Sequence, residues 1–245
     1  MNDKTLNICF LTKPFPPSTG GAETYAIQIA NSLAKIGNNV DVYTLDHGDV
    51  SKLDLHSNVR VVQLGRGEKR LGPIETVFYT YLIKTRVDFS EYDIIQGILM
   101  PSSILYPGLR NVEPPVIATS HGTSYDEIIH NIPISIGDYI LKYVYHPMDY
   151  LFDYISIKNA DKIIAISNHS RKQLETKYNL SGEKIKMINH GVDCETFKPI
   201  KQIHTDVSKD KLTLLHVGRL GPRKGINLII ESLSNMDDNV ELLVA

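Results

Sequence analysis

The chain has 245 residues, 26 Lys and Arg against 28 Asp and Glu, a formal net charge of -2, 42% hydrophobic and 22% charged residues. That balance excludes a disordered, collagen-like or disulfide-scaffold protein and leaves room for more than one domain around a sizeable core. It gives no global electrostatic case for DNA or RNA, so nucleic acid is not an expected partner.

Met1-Asn2-Asp3-Lys4-Thr5-Leu6 does not open a signal peptide, because an acidic residue sits where a basic region belongs and no apolar core follows. No apolar run approaches the ~18 residues of a spanning helix. Cys9 and Cys194 stand far apart, in no CxxC or Cys/His spacing, which suggests a reducing compartment and no zinc site. The expected location is the cytoplasm, with peripheral contact at the inner face of a membrane left open.

In chain order, strands are expected at Leu6–Thr12, Val40–Leu45, Val59–Leu64, Asp93–Gln96, Val116–Ser120, Lys162–Ile166 and Ile185–Ile188. Several are apolar at consecutive positions, as in parallel strands covered on both faces. Helical patterns at Ala22–Ile36, Ile74–Arg86, Ser102–Leu109 and Asn168–Tyr178 alternate with them, which is doubly wound α/β order. In the first helix Ala26, Ile29, Ala30 and Leu33 mark the core face, and Gly37 supplies the stop. Ile134–Asn159 is rich in Tyr, and Pro147 should break or kink it. Its aromatics read as core packing, with an acceptor or membrane-facing patch as the sharper alternative. Ile200–Lys211 is polar and reads as a linker. A strand at Leu212–Val217, a helix at Ile226–Leu233 and a buried strand at Val240–Val244 then begin a second α/β domain. The expected division is 1–199, linker 200–211, and 212–245 as an incomplete second domain, so the chain is expected to be a fragment of a longer protein.

Three strand ends carry candidate chemistry. The loop Thr12–Glu23 leads from the first strand into a helix N-terminus. Its Gly20 and Gly21 let backbone N–H groups approach a phosphate or diphosphate, which the helix dipole favours. An ordinary Pro/Gly turn, with Glu23 as first-turn acid, is the other reading of that loop. His121 follows the strand at Val116, where a side chain at a carboxyl end points into a ligand crevice; a satisfied loop histidine is the other reading. Val217-Gly218-Arg219-Leu220-Gly221-Pro222-Arg223-Lys224-Gly225 puts Arg219 and Lys224 before another helix, a conflict with its dipole that a bound anion would remove; a plain exposed basic loop is the other reading. There is no Walker A loop and no GxGxxG, and the nine histidines show no HxxxH or HExxH pairing, so no nicotinamide cofactor and no metal are expected.

Together these motifs resemble the retaining glycosyltransferases of family 4, of GT-B fold. The resemblance is carried by Phe10-Leu11-Thr12 with Pro16-Pro17 and Gly20-Gly21-Ala22-Glu23, by Ala160–Ser167, by Gly191-Val192-Asp193 with Phe197 and Pro199, and by Val217–Leu220 with Lys224-Gly225. It implies two Rossmann-like domains facing across a cleft, with a nucleotide-diphosphate sugar as donor and a glycan, lipid-linked or small molecule as acceptor. By the same resemblance, Gly20 and Gly21 line the diphosphate site and Gly21 gives it a backbone N–H. Arg219 and Lys224 neutralise its charge, and His121 contacts the donor sugar at the reacting centre. No metal or other cofactor is implied. Asn189-His190 departs from the Pro-Asn of many relatives. The family's paired glutamates would lie beyond Ala245, so the chain alone is expected to be inactive. A GT-B nucleotide-sugar 2-epimerase and a non-catalytic acceptor-binding module are the competing readings.

Overall fold

The computed structural model describes residues 4–13, 15–17, 20–67, 73–99, 112–130, 132–133, 135–199, 211–218, 220, 224–236 and 239–245. The expected helix Ser102–Leu109, Arg219 and nearly all of the expected linker lie outside the described residues.

Seven strands form one sheet: β1 (Asn7–Leu11), β2 (Asn39–Asp46), β3 (Val59–Arg66), β4 (Ile94–Leu99), β5 (Val116–Ser120), β6 (Lys162–Ala165) and β7 (Ile185–Met187). Their order is β3-β2-β1-β4-β5-β6-β7 and every pairing is parallel. The direction of winding reverses between β1 and β4. In such sheets the crevice outside the carboxyl ends at the reversal is where ligands bind.

The consecutive apolar residues of β1 are explained by two separate cores. Ile8 and Phe10 pack with Ala26, Ala30 and Ala34, whereas Cys9 and Leu11 pack with Tyr79, Leu82 and Ile83. The first set of partners lies on α1 (Gly21–Lys35) and the second on α2 (Pro73–Arg86), so a helix covers each face. Burial of Cys9 pushes its thiol pKa far up, as expected of an inert core thiol.

The α1 face is centred on alanines, which are fully buried, while Ile29 and Leu33 pack only at its margin. Small side chains let the helix lie close to the strands. At its end Gly37 adopts φ 98°, and the amides of Gly37 and Asn38 bond the carbonyls of Ala34 and Leu33 at 2.9 and 3.3 Å. That is a Schellman stop, and the left-handed φ is why glycine is there.

Three features differ from expectation. A short helix α3 (Ser124–His130) follows β5, where the sequence analysis placed no element. Pro147 does not break its helix. The chain runs from α4 (Ile136–Ile140) through a π-helical turn at Leu141–Tyr145 into α5 (His146–Asn159), with Pro147 in the first turn of α5. The wider turn accommodates a residue that lacks an N–H and crowds the preceding carbonyl. Third, the aromatics of this stretch are not all core: Tyr139 and Tyr143 face solvent.

Helix α6 (Asn168–Thr176) joins β6 and β7 and is capped by Ser167, whose Oγ accepts from Ser170 N at 3.1 Å. Beyond it, β8 (Leu212–His216), α7 (Ile226–Leu233) and β9 (Val240–Val244) form a parallel β-α-β unit with its own two-stranded sheet. The strand Val240–Val244 is present but not buried. Leu243 and Val244 are about half exposed, and no described residue of 211–245 is buried. Two strands and one helix are too few elements to enclose a core.

Candidate active site

The crevice at the carboxyl ends of β1, β4 and β5 is built from the loop before α1, the first turn of α1 and the residues after β5. The loop is fixed at its start by Lys13. Its Nζ contacts Glu75 Oε2 at 3.2 Å and donates to Thr76 Oγ1 at 3.1 Å, both on α2. Both charged side chains of this pair are largely buried.

Gly20 is the N-cap of α1 and offers no side-chain cap, while its carbonyl accepts from Thr24 N and Thr24 Oγ1, each at 3.0 Å. A Cβ on Gly20 would collide with the Glu23 carboxylate. A Cβ on Gly21 would meet nothing within 4 Å. Glu23 therefore places negative charge beside Gly20, and Gly21 is the open position from which a backbone N–H and the positive helix end can face an anion.

Tyr25, in that same first turn, carries the link to His121. Their ring centroids lie 4.2 Å apart, edge to face at 79°. His190 completes the group, stacked on His121 at 4.9 Å and 26°, and 5.0 Å from Tyr25. Gln96 Nε2, on β4, donates at 2.7 Å to Thr119 Oγ1, and Thr119 in turn hydrogen-bonds Tyr25. Beside it, Ser120 Oγ donates to Gly122 O at 2.8 Å, shaping the turn that presents His121. Burial raises the Tyr25 phenol above its ordinary pKa and keeps it neutral.

His121 is the most perturbed group in the crevice. Burial, aided by the nearby His190, lowers its pKa from 6.5 to about 4. Its buried Nε2 has no hydrogen-bond partner among the described residues. A neutral imidazole with an unsatisfied, desolvated nitrogen at a strand end is a polar group held ready for a ligand atom.

The structure thus gathers Gly20, Gly21 and His121 at one end of the sheet. It adds Tyr25 and His190, which sequence reasoning did not assign. His190 had a signal, the departure at Asn189-His190, but the stack on His121 joins residues 69 positions apart and no local pattern predicts it. Lys224 is exposed and directly precedes Gly225, the N-cap of α7, whose φ of 67° suits glycine. Its side chain lies toward Gly218, where a Cβ would come within 3.9 Å of Lys224 Cδ. Among the described residues no cluster of three or more His, Cys, Asp or Glu is arranged to hold a metal.

The amino-end rim of the sheet differs. There Asp41 pairs with Arg60, and Tyr92 Oη donates to Asp41 at 2.6 Å. Burial pushes Asp41 up, but the bonds from Arg60 and Tyr92 and the Arg60 charge outweigh it and hold the carboxyl low. These groups satisfy one another, unlike His121.

The fold is that of GT-B glycosyltransferases. The family model for Glycosyltransferase Family 4 matches residues 19–196, and the chain belongs to that family. It is 24% identical over 257 residues to the phosphatidylinositol N-acetylglucosaminyltransferase GPI3 subunit of Saccharomyces cerevisiae, covering 98% of this chain and 52% of that protein. It is 23% identical over 251 residues to the D-inositol 3-phosphate glycosyltransferase of Kribbella flavida, covering 92% and 55%. Among solved structures it is similar in fold to sucrose-phosphate synthase from Thermosynechococcus elongatus. The TM-score is 0.78 at 18% identity, over 98% of this chain and 62% of that one. The chain spans about half the length of the curated relatives it matches.

Proposed function

We propose that this chain serves a glycosyltransferase that moves a sugar from a nucleotide-diphosphate sugar to a glycan, lipid or small acceptor with retention of configuration. The observation that carries the reading is the desolvated, unpartnered His121 Nε2 held by Tyr25 beside the open N-terminus of α1. Residues 1–199 form the acceptor side, 200–211 a linker, and 212–245 belong to the donor side.

In this reading the Gly21 N–H and the α1 dipole meet the donor diphosphate. Neutral His121 hydrogen-bonds the donor sugar next to the anomeric carbon. As the anomeric C–O bond breaks, its electron pair passes to the diphosphate. Arg219 and Lys224 stabilise that charge, electrostatic work that needs no metal. The acceptor oxygen bonds to the same face of the sugar, and its proton leaves with the nucleoside diphosphate.

The test is incubation of the whole enzyme that this chain serves with a panel of nucleotide-diphosphate sugars and acceptor extracts, with products resolved by NMR. A glycoside of unchanged anomeric configuration is the expected product. A free epimerised sugar would favour the epimerase reading, and no turnover of any donor would leave a binding module. Arg219→Ala and Lys224→Ala should each cost about 2–4 kcal/mol of transition-state stabilisation. Wild-type turnover in both would sink the diphosphate assignment.

A further inference from the structure

Among the described residues neither the His121 nor the His190 imidazole has a hydrogen bond or an ion pair. A neutral histidine is ordinarily fixed by a bond from its second ring nitrogen to a carbonyl or carboxylate. His121 is fixed by rings instead. Tyr25 meets it at 79° with centroids 4.2 Å apart, and His190 covers it nearly parallel, at 26° and 4.9 Å. His190 also lies 5.0 Å from Tyr25, so each ring borders the other two. Offset-stacked and edge-to-face rings at such separations attract one another.

The two supports differ in their footing. Tyr25 is anchored from the sheet, since Gln96 Nε2 donates to Thr119 Oγ1 at 2.7 Å and Thr119 hydrogen-bonds Tyr25. His190 comes from the segment after β7, two residues beyond Ile188, whose N–H donates to Ala165 O at 2.9 Å. His190 is exposed and belongs to neither core, so its removal uncovers one face of His121 and leaves the packing of the fold intact. The carboxylates closest in sequence to the three rings are engaged elsewhere. Glu23 lies against Gly20, and Asp126 lies 3.0 Å from His169 Nε2. Asp193 accepts from Glu195 N at 2.9 Å and Thr196 Oγ1 at 2.7 Å. Burial, with the His190 charge as the smaller cause, is what holds His121 neutral.

We infer, on the sugar-transfer reading, that His190 is a positioning residue: it acts through His121, covering one face of that ring and fixing the plane in which Nε2 meets the donor sugar. Misorienting a reacting group costs turnover more than binding.

The test compares the whole enzyme that this chain serves with two variants, His190→Ala and His190→Phe. Phenylalanine keeps a stacking ring and removes the charge. His190→Ala should lower kcat about tenfold with donor KM within about twofold, and His190→Phe should recover most of the loss. Side-chain NMR of His121 adds a readout independent of transfer. In wild type and His190→Phe the ring should stay neutral on acidification to about pH 5. In His190→Ala it should begin to protonate near its ordinary value of 6.5, because water reaches the uncovered face. Thermal unfolding should not change in either variant. Wild-type kcat in His190→Ala would overturn the inference, as would a loss that His190→Phe fails to restore or a His121 titration that His190→Ala leaves unchanged. A joint loss of stability and turnover in both variants would make His190 structural. A wild type that turns over no donor would fail the sugar-transfer reading itself and take this role with it, an outcome distinct from wild-type turnover that the variants leave untouched.

Discussion

His121 is where a single residue's environment decides most. Its pKa of about 4 against an ordinary 6.5 means the unfolded chain binds a proton between those values that the folded chain refuses. Stability therefore rises with pH through that window, and His121 is silent above it. The folded state should lose up to about 3 kcal/mol as pH falls from 6.5 to 4, a loss that His121→Gln should largely remove. Denaturant unfolding at several pH values checks this; identical slopes in wild type and variant would show that another group titrates. Gly21 offers the complementary test. A Cβ there meets nothing within 4 Å, so Gly21→Ala should leave stability unchanged or raise it by under about 1 kcal/mol. The same change should reduce sugar transfer by crowding the anion-facing amide. Falling stability with intact transfer would make Gly21 structural. At this scale the sequence revealed residues that follow a strand or precede a helix. It did not reveal Tyr25 and His190, because ring packing depends on the closed fold.

Among the elements, the positions of α1, α2, α6 and α7 were legible from periodicity, whereas α3 and the partner of each face were not. The alanine face of α1 shows the limit. Its spacing predicted the buried side, but only the packing against Ile8 and Phe10 shows how little room remains. Ala30→Leu should cost about 1–3 kcal/mol through overpacking, measured by chemical denaturation, and a neutral result would mean the helix is free to shift outward. The link between the first loop and α2 was invisible in sequence, since Lys13 and Glu75 look like surface charges. Lys13→Met removes the cation from a carboxylate that is 4% exposed. A loss of about 3 kcal/mol is expected, together with weaker donor binding as the loop loosens. An unchanged midpoint would place the pair in solvent. Pro147 and the polar buried face of α5 escaped the pattern for related reasons. A π-turn absorbs the proline, and the buried carboxylate Asp153 answers to Ser124 and not to helix periodicity.

For the molecule as a whole, the β-α alternation announced a doubly wound parallel sheet, and the strand order sets the crevice between β1 and β4. The family match over residues 19–196 and the fold shared with sucrose-phosphate synthase fix the class. The β-α-β unit at Leu212–Val244 was legible as elements, while its exposed surface was not, because burial depends on how many elements surround a strand. The proposed sugar transfer depends on His121 acting on the reacting sugar. The measurement that meets this most directly compares the whole enzyme that this chain serves with its His121→Ala variant for sugar-transfer turnover and for the nucleoside-diphosphate dissociation constant. Turnover should fall by about 100-fold, with nucleotide affinity within about threefold and thermal unfolding near pH 7.5 unchanged. Equal turnover in the two proteins, or an equal loss of turnover and nucleotide affinity, would contradict it.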